Sequence, residues 1–397
     1  MIPRTGAPRI LIYTDDPERG GVAQYNHALL MAVAARRWTA VCVQTASQSP
    51  LAEAQHAAGV THVWLPYDTA AEFGRTVVDM DTPRAIFERQ RPDLIIFSDC
   101  CPVSNLGARQ AALALRIPFV IVVGFAAAYL ARQFAPCLPI LSRHYAAARE
   151  VVAVSGENLQ LLRTHFGLPP DRGSVIHYGR PEVFFEPTDP VRRKKLRNQL
   201  AVHDKTVVAL TTARLARLKG HHHQLAALRQ LLKSGRGDNL HLLWVGDGDQ
   251  RHVLEASIRQ LGLHARVTLL GHRWDTAAWY DAADFFVLPT DYEGMPLAIM
   301  EAMAKALPVA ASAVSGIPEE LGPTGRLLPD PAVDANATVA ALAATFAEWS
   351  EDAALRRRLG QAARERAGEF FRESLMLERT LALVDAHLPA RTPRLVA

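Results

Sequence analysis

Short runs of apolar and β-branched residues recur from end to end of this chain, each followed by an amphipathic or Ala-rich stretch. In the first half the runs fall at residues 9–13, 40–44, 62–65, 94–97, 119–123, 151–154 and 174–177, with helix-like stretches at 24–36, 84–91 and 106–115. In the second half they fall at 207–211, 241–245, 267–270, 285–288 and 308–311, with helix-like stretches at 224–233, 250–260 and 297–305. Runs that stay apolar instead of alternating suit strands covered on both faces, and strands separated by helices pair in parallel. The pattern predicts an α/β chain of doubly wound parallel sheets.

Length decides how many. A chain of 397 residues exceeds one ordinary core and fits two domains. The expected division is 1–185, 186–370 and a helical segment at 371–397. Around the break, Pro181, Pro187 and Pro190 precede the basic cluster Arg192, Arg193, Lys194, Lys195 and Arg197. That cluster reads as a solvated helix face, the other reading being a phosphate or acidic-membrane contact. Basic residues (44) exceed acidic ones (40) by a net +4, too small and too dispersed for a nucleic-acid partner. Cys42, Cys100, Cys101 and Cys137 form neither a disulfide framework nor a zinc spacing, which suits a reduced cytoplasmic setting. The opening Met-Ile-Pro-Arg-Thr-Gly has no apolar leader core, and the longest apolar stretch, 118–131, falls short of the roughly 20 residues of a spanning helix. A soluble protein with at most peripheral membrane contact is expected.

Open parallel sheets bind ligands at the carboxyl ends of their strands, so the strand-to-helix junctions carry the functional argument. The richest runs from Asp291 through Glu293, Gly294, Met295, Pro296 and Leu297 to Glu301. Pro296 suits a first helical turn, Gly294 permits close backbone approach, and the free N–H groups of Met295, Leu297 and Ala298 would form an anion site. Glu301 falls on the inward helix face, where a carboxylate needs partners. Sugar hydroxyls would supply them, and so would neighbouring backbone. At a second junction Arg214 and Lys219 bracket a short loop, a fork and a point charge suited to a diphosphate. At a third, Gly246-Asp247-Gly248-Asp249 makes a tight turn that is not a dinucleotide fingerprint, which leaves a dehydrogenase unsupported. In the first half, Gly20-Gly21 offers a turn that can lay backbone N–H groups on a ligand. Consecutive His221, His222 and His223 point about 100° apart on a helix and cannot converge on one metal. Asp79-Met80-Asp81 and Asp247-Gly248-Asp249 are chance-length strings, and no metal is expected at either.

These residues carry a resemblance. Glu293 and Glu301, with seven residues between them, and the surrounding Glu-Gly-Met-Pro-Leu-Ala-Ile-Met-Glu-Ala are similar to the E-x7-E segment of GT-B retaining glycosyltransferases of family 4 (glycosyl transferases group 1). Arg214-Leu-x-x-x-Lys219-Gly resembles that family's diphosphate clamp, and Val245-Gly246-Asp247-Gly248, Leu270-Gly271-His272 and Gly20-Gly21-Val22 are further matches. The resemblance implies two facing Rossmann-like domains with a cleft between them. The first would hold an acceptor (small molecule, glycan or lipid-linked) and the second a nucleoside-diphosphate sugar, UDP-sugar by default. It further implies that Arg214 and Lys219 neutralise the diphosphate, that Glu301 accepts from the ribose, and that Glu293 with Gly294 to Leu297 holds the sugar. His272 and Arg273 would border the base. The C-terminal helical segment would cross back onto the first domain.

One position departs from the pattern: where the family places a His after the strand at 119–123, this chain has Gly124, and His144 lies too far along to replace it. The implied chemistry is hexosyl transfer with retention, by a front-face route in which the leaving phosphate helps deprotonate the acceptor without a metal. A nucleotide-sugar-binding relative with altered catalysis, or an epimerase or phosphorylase on the same scaffold, are the alternatives.

Overall fold

The computed structural model describes residues 6–16, 20–46 and 49–389. Residues 1–5, on which most of the reading of the N-terminus rests, lie outside them. The chain divides into two compact units, Met1–Tyr178 with Glu373–Ala397, and Gly179–Arg372.

The first unit is a seven-stranded parallel sheet of β1 (Arg9–Thr14), β2 (Thr39–Thr45), β3 (Thr61–Leu65), β4 (Leu94–Asp99), β5 (Phe119–Val123), β6 (Glu150–Ala153) and β7 (Ser174–Val175). Their order is β3-β2-β1-β4-β5-β6-β7, so the winding reverses between β1 and β4. β4 and β5 are buried along their whole length, as uninterrupted apolar runs require. The second unit repeats the design with β8 (Val207–Thr212), β9 (Leu240–Val245), β10 (Val267–Leu269), β11 (Phe285–Leu288), β12 (Val309–Ser312) and β13 (Arg326–Leu328). Its order, β10-β9-β8-β11-β12-β13, reverses between β8 and β11. Both sheets are Rossmann-like, as the apolar runs predict. β13 is the one strand not foreseen. It is a three-residue edge strand, too short to print a pattern.

The division falls after Tyr178 instead of after residue 185. The reason is Arg180, whose N–H donates to the Phe371 carbonyl at 2.8 Å and whose guanidinium pairs with Glu301 at 2.8 Å, both inside the second unit. The helix Glu373–His387 belongs to the first unit, where Asp385 pairs with Arg36 at 2.9 Å.

The basic cluster is not a solvated face. Arg192 donates to the Asp281 carboxylate at 2.6 Å, and Arg193 to the Asp281 and Ala283 carbonyls at 2.8 and 2.7 Å. Arg197, itself buried, reaches the Ala282 carbonyl at 3.1 Å and Asp284 at 3.2 Å. Arg193 and Arg197 thus satisfy the last carbonyls of the helix Thr276–Ala282, where the backbone dipole favours positive charge, and Arg192 matches the Asp281 carboxylate. Only Lys194 and Lys195 of the five are exposed. Among the described residues no helix is long and apolar enough to cross a membrane.

The turn after β12 carries a buried carboxyl. Glu320 has no solvent exposure, and its oxygens make no hydrogen bond of ordinary geometry among the described residues, the Met300 backbone lying close enough only to oppose the effect of burial. Burial first, and the neighbouring Glu293 second, push its pKa well above the usual carboxylate range. A raised folded-state value means that stability is greatest at low pH and declines as pH climbs toward that value. In Glu320→Gln this proton linkage is absent. Denaturant melts of the variant should therefore gain on the wild type by about 1.4 kcal/mol per pH unit above pH 5, while the native carboxyl stays protonated. A gap that is constant from pH 5 to 8 would show that Glu320 is ionised in the native protein.

Candidate functional site

Three loops at the carboxyl ends of β8, β9 and β11 build the site in the second unit. After β8 the chain runs through Arg214 into a 3-10 turn, Arg217–Lys219, and then the helix His221–Lys233. Gly220 joins turn to helix at φ +70°, and a Cβ there would stand 1.8 Å from the Pro289 carbonyl oxygen. Glycine is demanded twice over, by the left-handed backbone and by the close approach. The Leu218 carbonyl accepts from the Asp291 N–H at 2.8 Å and from the Thr290 hydroxyl at 2.9 Å. These contacts lock the 3-10 turn onto the loop after β11, and Lys219 Nζ consequently donates to Glu293 Oε1. The two motifs predicted to bind one ligand therefore meet each other in the free protein. Both side chains are mostly shielded, whereas Arg214 is exposed.

The loop carrying Glu293 and Gly294 is itself anchored. The Glu293 N–H donates to Ser315 Oγ at 3.1 Å, and the Gly316 N–H to the Gly294 carbonyl at 3.1 Å. Met295 packs inward and Pro296 is the N-cap of the helix Leu297–Ala304, one place earlier than a first-turn position. That helix has no capping side chain and no acidic residue in its first turn. Its leading N–H groups at Leu297 and Ala298 thus keep the polarity that favours an anion.

Glu301 is buried, as its position predicts, but protein groups already hold it. Arg180 pairs with Oε1 at 2.8 Å, and the Tyr280 hydroxyl donates to Oε2 at 2.7 Å. Burial raises its pKa and Arg180 opposes the rise. Tyr280 also hydrogen-bonds Thr212 Oγ1 at the end of β8. Arg180, Tyr280 and Ser315 escaped the sequence reading. The only available signal was the unmet demand of a buried Glu301, and that demand does not say which distant side chain answers it.

Gly246 makes the tight turn expected of it: a Cβ there (φ +144°) would stand 1.9 Å from the Ala213 carbonyl oxygen, and the exposed Asp247 pairs with Arg251 at 3.2 Å. Hydrogen bonds from the Ala213 and Leu215 N–H groups to the Val245 and Asp247 carbonyls, each 3.0 Å, make this turn the buttress of the Arg214 loop. Arg273 is exposed but bidentate to Asp275 at 2.8 and 2.7 Å, so its charge is already matched. In the first unit, Gly20 caps the helix Gly21–Ala35, and the Asp16 carboxylate lies where a Gly20 side chain would stand. The Asp16 carboxylate thus stands at the start of that helix.

The remaining groups are quiet. His221 is buried edge-on against Trp244, 4.8 Å between centroids, and burial brings its pKa down to about 3. Asp79 accepts from the Asp81 and Thr82 N–H groups, each at 3.1 Å, at the start of the helix Asp81–Gln90. Among the described residues no three His, Cys, Asp or Glu side chains converge to hold a metal. Burial pushes the Cys42 thiol up to about 12 and Cys101 to about 11, so both stay protonated. His144 is buried on Gln110 at 3.1 Å, remote in role from the Gly124 position.

Comparison with known proteins bears on family and fold. Residues 192–366 match the model of glycosyl transferases group 1, and residues 19–181 match that of Glycosyltransferase Family 4. The D-inositol 3-phosphate glycosyltransferase of Corynebacterium efficiens is 31% identical over 260 residues, 61% of this chain and 59% of that protein. The alpha-maltose-1-phosphate synthase of Mycolicibacterium smegmatis is 32% identical over 249 residues, 60% of this chain and 63% of that protein. The matches thus span less than two thirds of these curated relatives. Among solved structures, Anabaena Alr3699/HepE in complex with UDP shares the fold with a TM-score of 0.77 at 21% identity, covering 95% of this chain and 100% of that one. The lipopolysaccharide glycosyltransferase WaaG does so with a TM-score of 0.71 at 18% identity, covering 94% and 99%. With one family model on each unit and the fold shared almost throughout, the chain belongs to the GT-B glycosyltransferases of family 4.

Proposed function

We propose that this protein is a retaining glycosyltransferase that moves a hexosyl group from a nucleoside-diphosphate sugar, UDP-sugar by default, to an acceptor hydroxyl. The observation that carries the reading is Lys219, held against Glu293 beside the uncapped start of the helix Leu297–Ala304, with Arg214 exposed on the same loop. In this reading the donor diphosphate draws Lys219 and Arg214 onto itself, and Glu293, released from the lysine, accepts from the sugar hydroxyls. Glu301 accepts from the ribose, its carboxylate held in place by Arg180 and Tyr280. The UDP complexes known for proteins of this fold support the choice of base. Two cations and a helix N-terminus stabilise the departing diphosphate electrostatically, so no metal is needed. The leaving phosphate then takes the acceptor proton on the same face. Gly124 in place of a family His motivates the second reading, a nucleotide-sugar-binding relative with altered catalysis. An acceptor panel that leaves the donor bound but unreacted would favour it.

A thermal-shift panel of nucleoside diphosphates and their sugars tests the donor class, because a ligand that binds only the folded state raises the melting temperature by mass action. UDP and UDP-sugars should lead the ranking, and a panel with no shift would remove the proposal. Arg214→Ala or Lys219→Ala should slow the chemical step by about two to three orders of magnitude. Near-normal turnover in the double variant would show that the diphosphate is held elsewhere. Arg180→Met strands a buried Glu301 carboxylate and should cost about 3–5 kcal/mol of stability, most of it recovered when Glu301→Leu is added. Calorimetry of the two variants beside the wild type measures this, and UDP affinity should be lost in both.

A further inference from the structure

The turn between β12 and the helix Ile317–Leu321 puts serine where glycine is favoured. The Ile317 N–H donates to the Val314 carbonyl at 3.2 Å, closing a four-residue turn with Ser315 and Gly316 at its centre. Ser315 has φ +51°, while Gly316 takes an ordinary φ of −68° with ψ −4°. Positive φ at the first central residue alone is the φ pattern of a type II′ turn, whose first central place belongs to glycine. Serine holds that place here although a glycine stands next in the chain. A residue with a Cβ carries an energetic cost in this conformation, and such strain gathers at functional sites.

What serine supplies and glycine lacks is the hydroxyl. Ser315 is half-buried, and the side-chain hydrogen bond it makes among the described residues is the 3.1 Å one accepted from the Glu293 N–H. On either side of Glu293 the loop after β11 is held by other contacts. The Asp291 N–H and the Thr290 hydroxyl donate to the Leu218 carbonyl, and the Tyr292 carbonyl accepts from that same hydroxyl at 3.3 Å. Beyond it, the Gly294 carbonyl accepts from the Gly316 N–H at 3.1 Å. Glu293 itself has two anchors, Ser315 on its backbone and Lys219 on its carboxylate. Once a diphosphate draws Lys219 away, only the serine anchor remains.

Taking Glu293 as the residue that receives the donor sugar, as the proposed function does, we infer that Ser315 is a positioning residue for the sugar half of the donor. Its hydroxyl holds the Glu293 backbone so that the carboxylate meets the sugar hydroxyls after Lys219 has moved to the diphosphate. The nucleoside-diphosphate half is bound without it, because Lys219, Arg214 and the start of the helix Leu297–Ala304 do not depend on this contact. The left-handed φ of Ser315 is the cost of placing a hydroxyl there.

Ser315→Ala and Ser315→Gly test this together, since both remove the hydroxyl but only glycine relieves the backbone. Ser315→Gly should therefore melt above Ser315→Ala. Titration calorimetry then compares UDP-glucose, UDP-galactose, UDP-N-acetylglucosamine and GDP-mannose with UDP and GDP. For the nucleotide sugar that the wild type binds, both variants should bind about fivefold more weakly, the size of one hydrogen bond. Affinity for the matching nucleoside diphosphate should stay within about twofold of wild type, as expected for a site that does not share the contact. A merely structural serine would tie affinity to stability, so that Ser315→Gly bound the nucleotide sugar better than Ser315→Ala. In Glu293→Ala the residue that Ser315 positions has lost its carboxylate, and adding Ser315→Ala should cost the nucleotide sugar no further affinity. Equal weakening of nucleotide sugar and nucleoside diphosphate, no weakening of either, or full additivity with Glu293→Ala overturns the inference. A wild-type protein that binds none of the six compounds would instead sink the proposed function, a separate result.

Discussion

The site in the second unit depends on main chain meeting main chain. Gly220 lies against the Pro289 carbonyl, Gly246 against that of Ala213 and Gly248 against that of Leu215. No side chain, not even a methyl group, fits at these contacts, so three loops from three different strands share one set of positions. Lys219 reaches Glu293 only because the turn that carries it is clamped this way. The flexibility usual in a lysine is thereby replaced by a defined charge beside the start of the helix Leu297–Ala304. A preorganised charge of this kind costs little reorganisation when negative charge develops nearby.

Charge is also compensated locally elsewhere in this unit. Arg180 and Tyr280 answer Glu301, while Arg192, Arg193 and Arg197 answer Asp281, Asp284 and the carbonyls at the end of the helix Thr276–Ala282. Such pairs carry a desolvation cost, and their net contribution to stability is small compared with the penalty for losing one partner. Their effect is therefore on geometry. They hold the carboxylate of Glu301 in one orientation and fasten the helix Pro190–Gln199 to the core of the unit. Glu320 differs: it is a buried carboxyl beside Glu293 with no charged partner paired to it among the described residues, and only the Met300 backbone N–H and the charge of Arg366 oppose the effect of burial.

The architecture was legible from the chain because burial on both faces forces strands to be apolar throughout, and that leaves a mark on every residue of a strand. β4 and β5 show it plainly, while β13, three residues at an edge, leaves almost none. Local signals likewise located Glu293, Gly294, Arg214 and Lys219, since turn glycines and a proline at a helix start act over a few residues. Misreading began where one residue type serves two ends. A glycine after a strand suits ligand approach and backbone approach equally, and at Gly246 the structure shows the second, against the Ala213 carbonyl. A run of arginines suits water and carbonyl oxygens equally, and the cluster at Arg192 to Arg197 serves the second.

What the sequence determined by itself was therefore the periodic and the near-neighbour: two doubly wound sheets, the junction loops, and the residue types at their tips. What only the tertiary structure decided was partnership across distance. That Arg180 would meet Glu301, that Tyr178 would fill the space beside Gly124, and that Asp16 would lie over Gly20 depend on where separate segments come to rest. Pairing energies of buried polar groups act over a few ångströms of space, and no spacing along the chain encodes which segments will share them.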